Sequence, residues 1–381
     1  VPQAVSARFD LAVVGAGIVG LAHALAAARA GLRVVVIDRD AQARGASIRN
    51  FGFVTVTGQA AGACWRLARR SRALWAEVAA AAGLPVLQRG LLVTARRPEA
   101  EAVIDAFLAT EMGQGCRRLT APEARRYAPL APGVTAALYS PHELRVESRE
   151  ALPRLAAWLA EAHGVAFRRG VTVHAVDPPK VETSAGPLEA EAVVVCPGDA
   201  TTGLFAEIFA ARGVTRCKLQ MMRIRPERPA PLATAVMSDL GLARYAGYAA
   251  LPEAAALAAR LDAEQAAQRA AGIHLIAVQS ADGSLVVGDS HVYGAAPDPF
   301  GATRIDALIL NEPGAVLDLG PSAVTERWCG TYAWAPDGWL LTEAPADRVR
   351  LVVVTAGCGA STAFGIAEQT IADLTREETP A

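Results

Sequence analysis

The stretch Phe9–Asp38, FDLAVVGAGIVGLAHALAAARAGLRVVVID, decides the fold. Phe9–Val14 is a short, β-branched apolar run stopped by Gly15, the pattern of a strand buried on both faces. Gly15-Ala16-Gly17-Ile18-Val19-Gly20 follows at once, and LAHALAAARAG then reads as a small-residue helix closed by Gly31. Leu32–Ile37 is a second buried strand with Asp38 at its end. Strand, glycines, helix, strand and terminal acid in this register form a dinucleotide-binding βαβ unit. In such a unit Gly15 permits the tight turn, Gly17 lets backbone approach a diphosphate, and Gly20 brings helix and strand together. The turn, with Ala16 and Ile18 in it, offers N–H groups to the phosphates. Asp38 is expected to accept the ribose hydroxyls, and the acid with Arg39 beside it disfavours a 2′-phosphate.

Outward from this unit, 381 residues exceed one ordinary core and suit two packed domains. With 52% hydrophobic and 20% charged residues the chain can bury a large interior. The net charge of −1 argues against nucleic acid or a membrane surface as partner. All but two of the 37 basic residues (Lys180 and Lys218) are arginines, so an anionic ligand meets guanidinium or backbone N–H groups. The six cysteines are scattered without a CxxC pair, which points away from disulfides and structural metal sites. The opening VPQAVSARFD has no basic region followed by an apolar stretch, and no apolar run reaches the length of a membrane span. A cytoplasmic enzyme is the expectation.

After Asp38 the sequence does not continue with the βα units of a nicotinamide dehydrogenase. Gly45–Gly52 instead forms a loop whose Ser47, Arg49 and Asn50 are suited to line a ring system. A helix follows with Trp65, Leu67, Leu74, Trp75 and Val78 on one face. Val171–Val173 and Ala192–Asp199 read as two strands returning to the same sheet, making Val173 and Gly198 candidate cofactor contacts. Val349–Thr355 is a further buried strand, entering a second glycine-rich junction at Ala356–Thr362 and a helix through Leu374. Its Gly357, Gly359, Ser361 and Thr362 are suited to stabilise charge at the N1–C2=O edge of a reduced flavin. Phosphate contacts near one end of the sequence and ring contacts near the other imply a long cofactor, FAD.

These segments resemble the D-amino acid oxidase-like flavoenzymes, including glycine oxidase and monomeric sarcosine oxidase. The resemblance spans the chain and is carried by Val13–Asp40, VVVCPGDA, WCGTYAWAPDGWLL (328–341) and TAGCGASTAFGIA (355–367). SIRNFGFVTVTGQ (47–59) resembles the branch associated with bacterial aminophosphonate breakdown. The resemblance implies an α/β fold, with a Rossmann-type FAD domain assembled from residues 1–85, 146–214 and 328–381. Residues 86–145 and 215–327 are then a smaller α+β substrate domain with a mixed or antiparallel sheet. It also implies hydride transfer from the substrate α-carbon to flavin N5, with no catalytic side chain and no metal. Cys358 lies in the wrong segment for the sarcosine oxidase linkage, so non-covalent FAD is expected.

Departures from the family shape the substrate expectation. Where glycine and D-amino acid oxidases carry an arginine for the substrate carboxylate, this sequence has Tyr332, with Trp334 two residues on. Where sarcosine oxidases carry a carboxylate-binding lysine it has Ser361, and at the lysine that assists oxygen it has Val286. A phosphonate calls for forked arginine donors, for which Arg49, with Asn50 beside it, is the first candidate. His291 is a candidate for the anion or the amine. Tyr332 and Trp334 share a face of an extended run and are candidate pocket residues. Of Tyr245 and Tyr248, which face opposite ways if the run is a strand, Tyr248 is taken as the pocket residue. The expected activity is FAD-dependent oxidation of a small anionic amine such as N-methyl-2-aminoethylphosphonate, with O2 as acceptor, giving aldehyde, amine and H2O2. The alternatives are a glycine/sarcosine/D-amino acid-type oxidase, or a flavoprotein dehydrogenase subunit that needs a partner.

Overall fold

The computed structural model describes residues 8–376. The extremes of the expected FAD domain, residues 1–7 and 377–381, lie outside them. The glycine-rich unit forms as read: strand Arg8–Val14, helix Ile18–Arg29, strand Val34–Asp38. These strands lie in the middle of a sheet ordered Leu340–Glu343, Val349–Val354, Leu188–Val195, Arg8–Val14, Val34–Asp38, Ala166–Arg169. All neighbours in it are parallel except the first pair. The helices Ile18–Arg29, Ala63–Ala81, Ser148–His163 and Gly359–Arg376 supply residues to one core against this sheet, with Leu21, Trp75, Leu155 and Phe364 at its centre. The near-continuous valine runs of the central strands follow from burial on both faces, because a second cluster with Val35, Val193, Phe209 and Leu351 packs on the other side.

The second sheet is mixed. Its order is Val292–Gly294, Thr215–Pro226, Leu285–Gly288, Ile276–Gln279, Ala235–Met237, Gln88–Ala95, Ala136–Arg145, Phe53–Val54. Ser322–Trp334 also pairs with Thr215–Pro226, and Arg117–Thr120 with Ala136–Arg145. Only Ala235–Met237 and Gln88–Ala95 run parallel; the other pairs are antiparallel. The fold is therefore the expected α/β architecture, a Rossmann-type domain with a second domain beside it.

Three local expectations are corrected. The strand returning to the first sheet is Ala166–Arg169; Val173 begins a flap, Val173–Asp177 with Lys180–Thr183, that joins the sheet only through Leu188–Val195. Gly170, at φ +67°, makes the turn that separates the two. The boundary expected between residues 327 and 328 falls inside the single strand Ser322–Trp334, which stays paired with Thr215–Pro226 from end to end. Tyr245 and Tyr248 are not in a strand: Tyr245 precedes the short helix Ala246–Ala249, in which Tyr248 lies. No helix among the described residues is long and apolar enough to cross a membrane.

Candidate functional site

A cavity of about 490 Å³ lies between the two sheets, reaching from Gly17 to Ser361 and on to His291 and Trp334. Two helix N-termini open onto it, those of Ile18–Arg29 and Gly359–Arg376. First-turn N–H groups need partners from outside their helix; Ile18 N–H takes Ser47 Oγ and Ser361 N–H takes Cys358 O, and the remaining ones are suited to receive an anion.

The glycines divide the work as their positions suggest. A Cβ on Gly15, at φ +108°, would stand 2.3 Å from the Cys196 carbonyl oxygen, so only glycine lets the turn pass the end of that strand. At Gly17 a Cβ would meet only Ser47 Oγ, at 3.0 Å, and the backbone otherwise faces the open cavity. Ser47 Oγ accepts from the Ile18 N–H at 2.9 Å, which fixes the following loop over the helix start. The Asp38 carboxylate accepts from the N–H groups of Ala16 (2.6 Å) and Asp40 (2.8 Å), tying the glycine turn to the strand end. Arg39 reaches Asp40 at 3.9 Å, and of the expected cofactor contacts Gly15, Ala16, Asp38, Arg39 and Val173 do not line the cavity.

At the other end Gly357, Gly359 and Ser361 line the cavity, as does Gly198 from the Leu188–Val195 strand end. Ser361 Oγ accepts from the Thr55 N–H at 2.9 Å, joining the closing helix to the loop after Asn50. Thr362 is fully buried, and its hydroxyl donates back to the Cys358 carbonyl at 2.9 Å, so its side chain is structural. Asn50 lines the cavity, but its amide is engaged in shaping the loop. It donates to Ala46 O at 2.7 Å and accepts from Gly52 N–H at 2.6 Å and Ser148 Oγ at 2.8 Å. Arg49 is exposed at the rim and reaches Cys329 O at 3.4 Å.

His291, Tyr332 and Trp334 meet in one wall of the cavity. Tyr248 does not join them: it is fully buried against Phe107, ring centroids 4.7 Å apart, and Tyr245 lines the cavity instead. A helix at this point places the two tyrosines in a geometry that an extended run does not have.

Among the wall residues that escaped the sequence reading are Arg244, His274, Asp289 and Tyr293, and Tyr245 was passed over in favour of Tyr248. Arg244 donates to the Tyr293 phenol at 2.9 Å and makes no ion pair with a carboxylate among the described residues. Burial opposes its charge, but Tyr293 and Asp289 outweigh that and raise its pKa. Asp289 lies with His274 and His291 in a buried group whose ligating atoms are all within 4.8 Å of one another. No short motif joins these three, so scattered histidines and one acid after LVVG were the only available signal. Burial lifts the Asp289 carboxyl to about 7, with Arg244 pulling the other way. Burial first, and then Arg244, pushes both histidines well below their ordinary range and leaves them neutral. The Tyr332 phenol is likewise raised by burial.

The residues present fit a long diphosphate-bearing cofactor, with an open glycine cradle at one helix start, a second helix start at the far end and a continuous cavity between them. The family model described as FAD dependent oxidoreductase matches residues 10–374. None of the curated proteins matches the chain in sequence. Among solved structures, glycine oxidase from Bacillus cereus ATCC 14579 is similar at 17% identity and TM-score 0.77, covering 98% of this chain and 96% of its own. L-proline dehydrogenase from P. horikoshii is similar at 19% identity and TM-score 0.78, covering 98% and 95%. Iminodiacetate oxidase from Chelativorans sp. BNC1 is similar at 20% identity and TM-score 0.69, covering 97% of each chain. A dinucleotide fingerprint, a cavity running between two helix starts and a match along nearly the whole length agree: the chain belongs to the FAD-dependent oxidoreductase family and uses FAD.

Proposed function

We propose that the protein oxidises a small amine carrying an anionic tail, most specifically an N-methylated or similar 2-aminoethylphosphonate, with dioxygen as electron acceptor and FAD held non-covalently. The observation that carries this reading is Arg244. Its guanidinium lines the cavity, is positioned by Tyr293 and makes no ion pair with a carboxylate among the described residues, so its charge is available to a ligand. A phosphonate offers three oxygens to such a fork. Arg49 at the rim adds a second cation on the same cavity.

FAD supplies the two-electron acceptor for the hydride of the substrate α-carbon. The residues of the chain supply position and surroundings. Gly17 and the Ile18–Arg29 helix start would hold the diphosphate, and Gly357 to Ser361 would meet the ring edge; all of them line the cavity. Tyr245, Tyr332 and Trp334 wall the substrate end and restrict water there, which strengthens the pull of Arg244 on an anion, while Tyr293 stands exposed at its mouth. Arg244 and Asp289 line the same cavity and act on each other electrostatically, which favours a compact substrate with its charges close together.

The test is anaerobic bleaching of the bound flavin by a panel of amines. N-methyl-2-aminoethylphosphonate is expected to bleach it, and Arg244→Ala to weaken that response while the protein stays yellow. Bleaching by glycine, sarcosine or D-alanine with no response to any aminophosphonate would overturn the substrate assignment.

A further inference from the structure

Asp289 is buried between two histidines whose hydrogen-bonding polarity leaves one role open. Its Oδ1 is 3.6 Å from His274 Nδ1 and its Oδ2 is 3.8 Å from His291 Nε2. His291 Nδ1 lies 2.8 Å from the Gly272 carbonyl oxygen, so Nδ1 carries the proton and donates it there. In the neutral ring Nε2 is then a bare acceptor facing a carboxylate, which is also an acceptor. Neither ring nitrogen of His274 has a hydrogen-bond partner, and neither has Asp289 Oδ1. Buried polar atoms left without partners are destabilising. Neutral His274 brings one N–H and one acceptor nitrogen, whereas His291 Nε2 and both Asp289 oxygens are acceptors, so acceptors outnumber donors here and a cationic donor from the cavity completes the group.

We propose that His274, Asp289 and His291 receive the substrate's ammonium group and that Asp289 takes its proton, leaving the free amine from which hydride transfer can proceed. This inference rests on the proposed amine oxidation. In the step an N–H bond breaks and an O–H bond forms on Asp289. The electron pair stays on nitrogen, and no oxidant is consumed. A protonated amine has no lone pair to stabilise the cation left by hydride loss, so the proton has to leave first. A carboxylate that titrates close to neutrality suits the task. The groups facing it are Arg244, Tyr245, His274, His291, Cys217 and Tyr332. Burial holds the thiol and both phenols protonated and both imidazoles neutral, so Arg244 is the fixed charge among them. Arg244 for the anionic tail and Asp289 for the ammonium thus form a receptor for a short zwitterion.

The experiment follows flavin reduction across pH for the FAD-loaded wild type and Asp289→Asn. The amine is N-methyl-2-aminoethylphosphonate or, if that is inert, whichever amine bleaches the wild type. The wild-type rate constant at subsaturating substrate is expected to rise with pH through about 7 as Asp289 ionises. Asp289→Asn is expected to lose on the order of 10²- to 10³-fold at neutral pH. It recovers as the pH approaches the pKa of the amine itself, where free amine is delivered from solution. A readout without turnover is the infrared band of a protonated carboxyl that titrates near about 7 in the wild type and is missing from Asp289→Asn. Loss by the same factor at every pH, an unchanged profile, or no such band overturns the proposal. So does a tightly bound divalent metal whose chelation abolishes reduction, since two histidines and a carboxylate also suit a metal ion. If Asp289→Asn fails to retain FAD, a wild-type profile that is flat across neutral pH overturns it as well. Failure of the phosphonate reading looks different: aminophosphonates stay inert while another amine shows the same Asp289-dependent limb.

Discussion

Arg244 is half-buried with its guanidinium on the Tyr293 phenol, whereas Arg49 is exposed and reaches only a backbone carbonyl at 3.4 Å. An ion contact strengthens as water is excluded, so the two arginines are expected to differ in weight. Arg244→Ala is predicted to lower kcat/KM for the phosphonate on the order of 10²-fold, and Arg49→Ala on the order of 10-fold, both with FAD retained. Steady-state kinetics with flavin absorbance as the loading control checks this; equal losses would place both arginines on the same oxygen set. Tyr248 makes the opposite case. Its ring fills the space in front of Gly58, where an added Cβ would come within 2.5 Å of Cε2 at a backbone φ of +86°. Gly58→Ala is therefore predicted to cost about 1–3 kcal/mol of stability through overpacking and strain, read as a lower denaturation midpoint.

Elements meet at the site by close backbone approach. A Cβ on Gly20 would lie 1.9 Å from the Gly15 carbonyl oxygen, so Gly20→Ala must push the first helix off the first strand. The predicted result is colourless protein, because the displaced helix start carries the N–H groups intended for the diphosphate; a yellow, fully loaded Gly20→Ala would contradict it. The Ala63–Ala81 and Gly359–Arg376 helices cross in the same way. There Ser71 Oγ accepts from the Gly365 N–H at 2.8 Å, and a Cβ on Gly365 would meet Leu67 O at 2.9 Å. Ser71 is fully buried. Ser71→Ala removes this buried bond between the two helices and is predicted to cost about 0.5–1.5 kcal/mol, measurable by urea titration.

The whole molecule carries a built-in sensitivity to acid. His23 is fully buried in the first helix, and burial pushes its pKa down to about 4, against the opposing bond to the Val19 carbonyl. Unfolded histidine titrates near ~6.5. As pH falls below that value the unfolded chain takes up the proton first, and stability declines by up to about 1.4 kcal/mol per pH unit until the folded imidazole titrates. His274 and His291 act in the same direction. Asp289 acts in the opposite one, since its raised pKa favours the folded state at low pH and loses that effect as pH rises through about 7. His163 is lowered as well and Glu312 raised, so four histidines against two carboxyls make acid destabilisation the expected net result over this range. Denaturant titrations at pH 7 and 5, on the wild type and on His23→Leu, should show a shallower fall for the variant. Removing FAD is also predicted to lower the melting temperature, because the cavity it fills joins the two sheets.

The first βα unit and the Rossmann core were legible because they depend on local rules: valine runs buried on both faces, glycines where a Cβ has no room, an acid at a strand end. The helix Ser148–His163 and the strand-to-helix junction at Val354 to Gly359 follow from the same rules. Arg244, His274 and Asp289 were not legible, since each is an ordinary residue in its own segment. What makes them a site is the second domain: the pairing of Ile276–Gln279 with Leu285–Gly288 sets His274 against Asp289, and the turn before Ala246–Ala249 brings Arg244 to the same cavity wall. Burial then keeps two imidazoles neutral and lifts a carboxyl to about 7, and no string of letters encodes a local dielectric. The sequence alone determined the cofactor and the core that grips it; the tertiary structure alone decided which charges face the substrate, because charge in a cavity depends on solvent exclusion by segments far apart in the chain.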